Sequence, residues 1–242
     1  MIKTKKRALI TGASRGIGQA IAERFAMDGY DLILVCEKEE ALLRRHSTRW
    51  MNDYCIDCQV FRLDISDEAS VLEIFRQIDS LDLVINNAAI SRVGLLQDMN
   101  AQDWKRLLSV NLDACFYVCK QAIPFLLAAK EGRILNISSV WGNVGASMEV
   151  AYSASKGAVN AFTKALGKEL APANISVNAI ALGVVDTSMN QQLDDEEQDA
   201  LKQSIPIGRF ATPEEAAELT WLIAQSPLYL TAQVITMDGG WT

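Results

Sequence analysis

The chain of 242 residues has one histidine, five prolines and no apolar run long enough to cross a bilayer. His46 lies in the charged stretch Arg44-Arg45-His46 and reads as a solvated helix residue. A Ser-His-Asp triad would have to use it, and no nucleophile-elbow sequence is present to meet it. Positive charge is also scarce. Lysine and arginine number 23 against 30 acidic residues, for a net charge of −7. That excludes the basic stripe of a nucleic-acid-binding surface and disfavours anionic membranes and acidic protein partners. The five cysteines are an odd number, so a complete intrachain disulfide framework is excluded. Cys55-x-x-Cys58 and Cys115-x-x-x-Cys119 offer four thiolates in principle. Cys115 and Cys119 fall on an apolar helical pattern, however, where cysteine behaves as a small hydrophobe, and no metal site is expected. Only Ala8-Leu9-Ile10 follows the basic start before a glycine turn, too short for a secretory signal, so the expected location is cytoplasmic.

Half of the residues are hydrophobic, enough for a core covered on two faces. Short β-rich runs alternate with longer helical stretches, the pattern of a parallel sheet with crossover helices. Strands are expected at 8–10, 32–36, 59–63, 81–85, 132–137, 175–180 and 234–237. Helices are expected at 19–27, from 39, at 66–78 with Ser66 as N-cap, at 101–129 with breaks near Asn111 and Pro124, from Tyr152 to before Pro172, and at 213–223. No internal repeat or linker interrupts the series, which predicts one domain over 1–242. The fold class is α/β, a Rossmann-like doubly wound parallel sheet of about seven strands with helices on both faces.

Thr11-Gly-Ala-Ser-Arg-Gly-Ile-Gly18 directly follows the first strand and opens a helix. Gly12, Gly16 and Gly18 let the backbone turn sharply and approach a pyrophosphate, which the helix N-terminus attracts through free N–H groups. Asp64 ends the third strand, where its carboxylate either accepts an adenine amino group or merely flanks the next helix. Asn86-Asn87-Ala88-Ala89 ends the fourth strand, on the edge where ligands bind in such sheets.

Tyr152-Ser-Ala-Ser-Lys156 places a phenol and an ammonium on one helix face, with Ser139 thirteen residues upstream. A free tyrosine has a pKa of roughly 10, and a nearby positive charge lowers it toward the range of a useful acid or base. Ser139 can donate to a substrate oxygen on which charge develops. Tyr-x-x-x-Lys occurs on many helices by chance. Its combination with the glycine cradle is what carries meaning.

These segments, with Asn111, Asn178–Gly183, Pro206-Ile-Gly-Arg-Phe210 and Asp238-Gly239-Gly240, resemble the short-chain dehydrogenase/reductase family over the whole length. The chain is most similar to the β-ketoacyl-acyl-carrier-protein reductase branch. The resemblance implies that Tyr152 is the acid/base and that Ser139 orients the substrate oxygen. It implies that Lys156 binds the nicotinamide ribose while lowering the tyrosine pKa, and that Asn111 holds a water linking Lys156 to solvent. It implies cofactor contacts from Gly12, Ser14, Arg15, Gly16, Ile17, Gly18, Glu37, Asp64 and Ile65. Further contacts are implied from Asn87, Ala88, Ala89, Tyr152, Lys156, Gly183, Val185 and Thr187. A homotetramer of 222 symmetry is implied as well, built on the two long helices and the last strand.

Three departures from the family pattern stand out. Leu182-Gly183 replaces Pro-Gly, which predicts a less restrained backbone, and Ala89 replaces a common glycine. Of the two basic residues that present a carrier protein to the family's active site, Lys130 matches one, while Ala173 stands at the other. In cofactor choice, Arg15 suits the 2′-phosphate of NADP(H), whereas the Glu37 carboxylate suits NAD(H). The balance falls slightly to NADP(H). The substrate is a small molecule bearing a carbonyl or alcohol, free or carrier-linked: a β-ketoacyl thioester, a small ketone, or a sugar-derived alcohol. A non-catalytic cofactor-binding scaffold is the reading from another class, and the intact Ser139, Tyr152, Lys156 and Asn111 argue against it. Thr187 to Gln203, rich in acid, reads as a substrate lid or an ordinary exposed helix.

Overall fold

The computed structural model describes residues 5–188 and 194–242. Among these, seven strands form one sheet: β1 (Arg7–Thr11), β2 (Asp31–Cys36), β3 (Cys58–Arg62), β4 (Leu83–Asn86), β5 (Arg133–Ser139), β6 (Ser176–Leu182) and β7 (Val234–Met237). Their order is β3-β2-β1-β4-β5-β6-β7, and every pairing is parallel. All residues of β2, β4, β5 and β6 are buried, as expected for mainly apolar strands covered on both faces.

Alternation along each strand sorts the core into two layers. Ala8 and Ile10 point to one face with α1 (Gly16–Met27), α2 (Glu40–Tyr54) and α9 (Pro213–Gln225). Leu9 points to the other with α3 (Glu68–Arg76), α5 (Ala114–Ala128) and α7 (Val150–Leu170). Phe25 and Trp50 are fully buried in the first layer, and burial of one such side chain contributes about 1.5–3 kcal/mol. Three shorter helices complete the set: α4 (Ala101–Leu108), α6 (Trp141–Val144) and α8 (Asp195–Ser204).

Several local expectations are corrected. Asp67, not Ser66, caps α3, its carboxylate accepting from Ser70 N at 3.0 Å. Ser66 is spent on Asp64, whose Oδ1 accepts from both its amide and its hydroxyl. The break near Asn111 is a π-helical turn, Ser109–Asp113, between α4 and α5. Pro124 does not break α5, because neighbouring turns carry the helix past one missing donor. Strand β4 starts two residues late, at Leu83, although Asp82 already bonds to both neighbours: its N donates to Arg7 O and its O accepts from Arg133 N, each at 3.0 Å. His46 is not simply solvated. It is half-buried and stacks on Trp50 at 5.6 Å, and burial lowers its pKa. Of the segment expected to form a lid, 189–193 lies outside the described residues. The remainder contains α8, capped by a reciprocal Asp194–Glu197 capping box.

Candidate active site

The sheet order reverses between β1 and β4, because the connection after β1 crosses one face and that after β4 the other. At the C-terminal strand ends this leaves the crevice where doubly wound sheets bind ligands. Here it is a groove of ≈ 720 Å³. Every residue named above as a cofactor contact or catalytic group lines it except Asn111.

The glycine cradle is built by close approach. Gly12 and Gly16 have φ of +66° and +56°, where a side chain would be strained. A Cβ on Gly18 would lie 2.1 Å from the Gly12 carbonyl oxygen. Asn87 cinches the turn: its Nδ2 donates to the carbonyls of Thr11 and Gly12 at 3.0 and 3.2 Å. Thr11 Oγ1 in turn accepts from the amides of Asn87 and Ala88, both at 3.0 Å. No side chain caps α1, so its first N–H groups remain available to a phosphate, and the cradle fits a dinucleotide. Thr187 closes over the cradle, its methyl 3.4 Å from where a Gly16 Cβ would stand.

At the adenosine end the structure adds a residue that sequence reasoning missed. Arg106 of α4 donates to Asp64 Oδ2 at 2.8 Å and to Glu37 Oε1 at 3.3 Å, bridging the ends of β3 and β2. Burial pushes the Asp64 pKa up, but the hydrogen bonds from Ser66 and Arg106 together outweigh it and hold the carboxyl below its usual value. Arg15 is exposed at the same groove. The backbone at Leu182-Gly183, expected to be less restrained without proline, is pinned by packing. Leu182 pairs with Met237 in the sheet, Gly183 N donates to Met237 O at 2.9 Å, and a Cβ on Gly183 would meet Asp238 Cα at 2.9 Å.

Ser139 is the last residue of β5 rather than a residue beyond it. Its Oγ accepts from Trp141 N at 3.2 Å, which leaves its own proton to donate toward the groove, on the side where Tyr152 lies. Tyr152 lies in the first turn of α7, and Lys156 one turn later, its ammonium 5.6 Å from the Tyr152 ring centre. Lys156 is buried and donates to Ile137 O at 2.8 Å. Burial lowers its pKa to about 8. The expected lowering of the tyrosine pKa by Lys156 is not what the protein alone produces. Burial, then the Glu149 carboxylate, raise the Tyr152 pKa well above its ordinary value, and a hydrogen bond with Ser139 only partly opposes them.

Asn111 is buried in the π turn, and its side chain is fully committed. Its Oδ1 accepts from Ile90 N at 2.8 Å, while Nδ2 donates to Ile90 O at 2.9 Å and Ser155 Oγ at 3.0 Å. Ser155 in turn donates its hydroxyl to the Tyr152 main-chain carbonyl at 2.7 Å. The side chain thus ties the loop after β4 to the turn of α7 that carries Tyr152. Any link from Asn111 to a water must use its main-chain carbonyl, which accepts from Cys115 Sγ at 3.5 Å. π turns of this kind are frequent at functional sites.

Trp141, Trp241 and Glu149 were also missed, and all three line the groove. The two indoles meet at 4.8 Å, although 100 residues separate them in the chain. Gly142 lets α6 settle on α7, since a Cβ there would be 2.7 Å from the Lys156 carbonyl carbon. No local sequence pattern announces a contact of that kind.

A tyrosine hydroxyl facing a dinucleotide cradle defines a class: nicotinamide-dependent oxidoreductases acting on carbonyl and alcohol groups. The short chain dehydrogenase profile matches residues 6–198, and the chain belongs to that family. It is 37% identical over 240 residues to a 3-oxoacyl-[acyl-carrier-protein] reductase of Aquifex aeolicus, covering 97% of this chain and 96% of the relative. It is 34% identical over 238 residues to an uncharacterized oxidoreductase, YmfI, of Bacillus subtilis, covering 98% of each. Among solved structures, a putative gluconate dehydrogenase from Agrobacterium tumefaciens superposes with a TM-score of 0.91 at 27% identity, covering 98% of this chain and 95% of the other.

Proposed function

We propose that the protein is an NADPH-dependent reductase of 3-oxoacyl thioesters, with Ser139, Tyr152, Lys156 and Asn111 as its catalytic group. The observation that carries this reading is the junction of the Ser139–Tyr152 pair with a groove mouth lined by Ile90, Val93, Val140, Trp141 and Trp241. Such a mouth suits an acyl chain better than a polyol. The full-length likeness to a 3-oxoacyl reductase supports the same reading. So does the Arg15 guanidinium, which suits a 2′-phosphate.

A dinucleotide held in the groove would supply a hydride for the carbonyl carbon. Tyr152 gives its phenolic proton to the carbonyl oxygen, and Ser139 donates a hydrogen bond to that oxygen as charge gathers there. Lys156 holds the nicotinamide ribose and stabilises the phenolate that remains. Asn111 positions the turn of α7 that carries Tyr152. Exposed Lys130 without a basic partner at Ala173 argues for substrates that need little carrier-protein docking. One domain, a cytoplasmic location and a homotetramer complete the proposal. A polyol or sugar-acid dehydrogenase is the second reading, favoured by the likeness to the putative gluconate dehydrogenase.

The test is a turnover panel of acetoacetyl-CoA, ethyl acetoacetate and a ketohexonic acid with NADPH and NADH. NADPH with an acetoacetyl substrate should be fastest, and Tyr152→Phe should bind cofactor normally while losing at least about a hundredfold in kcat. Turnover confined to the sugar acid or to NADH would reject the reading, and a Tyr152→Phe enzyme retaining a tenth of its kcat would reject the proton donor.

A further inference from the structure

Glu149 stands immediately before α7 and lines the groove beside Ser139, Tyr152 and Trp141. The ordinary reason for an acidic residue at a helix start is capping, yet its side chain makes no cap bond to α7. It is in none of the ion pairs among the described residues. Its partner is Ser91, whose hydroxyl donates to Oε2 at 2.6 Å across the mouth. The main chain ties the same two loops together, Gly94 N donating to Met148 O at 2.8 Å. The carboxylate is thus held at the mouth without doing structural work for its own helix.

The surroundings make that charge decisive. At the substrate end of the groove the other charged group is Lys156, which is buried and tethered to Ile137. Ile90, Ser91, Val93, Val140, Trp141 and Trp241 are neutral. The rim continues apolar through Leu95, Met148 and Val150, each 40–50% exposed. A ligand that places its carbonyl at Tyr152 therefore meets Glu149 as the uncompensated charge of the mouth.

We propose that Glu149 is a specificity-determining residue that admits 3-oxoacyl esters and thioesters and rejects the corresponding free 3-oxo acids. The inference rests on the reductase reading above and narrows it. A free 3-oxo acid carries its carboxylate two bonds from the reacting carbon, where it must approach Glu149. Two like charges roughly 5 Å apart at an effective dielectric near 20 disfavour binding by a few hundredfold, on the order of 10². Esterification removes the charge and the penalty. The same charge has a second effect, since Glu149 contributes to raising the Tyr152 pKa. The charged or titratable groups around that phenol are Glu149 from the loop, Lys156 from α7, and Cys115 of α5, which faces Lys156.

The experiment compares ethyl acetoacetate with acetoacetate on wild type and Glu149→Gln, which keeps the side-chain shape and the Ser91 contact. Two readings are taken: kcat/KM for reduction, and binding to the enzyme with oxidised cofactor through quenching of Trp141 and Trp241. Wild type should favour the ester by fiftyfold or more in either reading, and Glu149→Gln should shrink that preference at least tenfold. The basic limb of its pH–rate profile should also move to lower pH, because loss of a neighbouring negative charge lowers the tyrosine pKa. Equal handling of ester and acid by wild type, or an unchanged preference in Glu149→Gln, overturns the inference while leaving the reductase reading intact. If neither compound is reduced, the reductase reading fails, and the binding arm alone still decides the charge preference of Glu149.

Discussion

Lys156 is an ammonium held in a dry place, and that burial has a measurable cost. Its folded pKa is about 8 against 10.5 for the free group, so the folded state disfavours the charged form. The sign follows from proton binding: between pH 8 and 10.5 the unfolded chain binds more protons at this lysine, so its burden on stability fades as pH rises. Below pH 8 the burden is complete. Lys156→Met should therefore be more stable than wild type at pH 7, by about 1–3 kcal/mol, while losing turnover. Urea midpoints at pH 7 and pH 10 check this, and a gain that does not shrink at the higher pH would refute it. Arg106 invites a test at the same scale. By holding Glu37, its guanidinium offsets a carboxylate that would repel a 2′-phosphate. Arg106→Gln should weaken NADP⁺ binding roughly tenfold and NAD⁺ binding much less, as read by calorimetry. Equal losses would reduce Arg106 to a support for the adenine pocket. Tyr152, Ser139 and Lys156 were legible because one strand end and one helical turn bring them together. Arg106, Glu149 and Trp241 were not, because their roles exist only after distant segments meet.

The elements were legible in kind more than in their ends. Runs such as Leu32–Cys36 could be little else than a strand buried on both faces, and the sheet found them there. The ends depend on single hydrogen bonds that periodicity does not contain. In α3 the choice between Ser66 and Asp67 as cap was made by Asp64, which captured the serine. Asp67→Ala should accordingly lower the chemical-denaturation midpoint, and Ser66→Ala should leave α3 capped. Helical content lost equally in both variants would undo that assignment. The π turn is the same lesson on a larger span. Asn111 suggested a break, but nothing in Ser-Val-Asn-Leu-Asp says that the chain gains one residue per turn there instead of ending. The segment leading into α8 can be judged by exchange. Amides of 194–204 should exchange fast in the free enzyme and more slowly with cofactor and a substrate analogue bound, as a lid requires. Equal rates in both states would leave an exposed helix.

Across the whole molecule, the parallel sheet and its two covering layers followed from the alternation of strand and helix in the sequence, while the strand order emerged only with the structure. The groove followed from them, because its floor is the switch in strand order. What composition could not convey is how the fold spends its thiols. Four of the five cysteines are sheltered: burial pushes the Cys115 thiol up to about 11, the Cys58 thiol up to about 12, and raises Cys36 and Cys119 as well. Cys55 alone is exposed, in a left-handed turn that closes α2 before β3 begins. That places it at the opposite end of the sheet from the groove. The protein therefore carries a native attachment point for a maleimide dye or a surface linker. A fluorophore seated there reports tumbling and assembly, and immobilisation through it leaves the mouth facing outward, without any engineered cysteine.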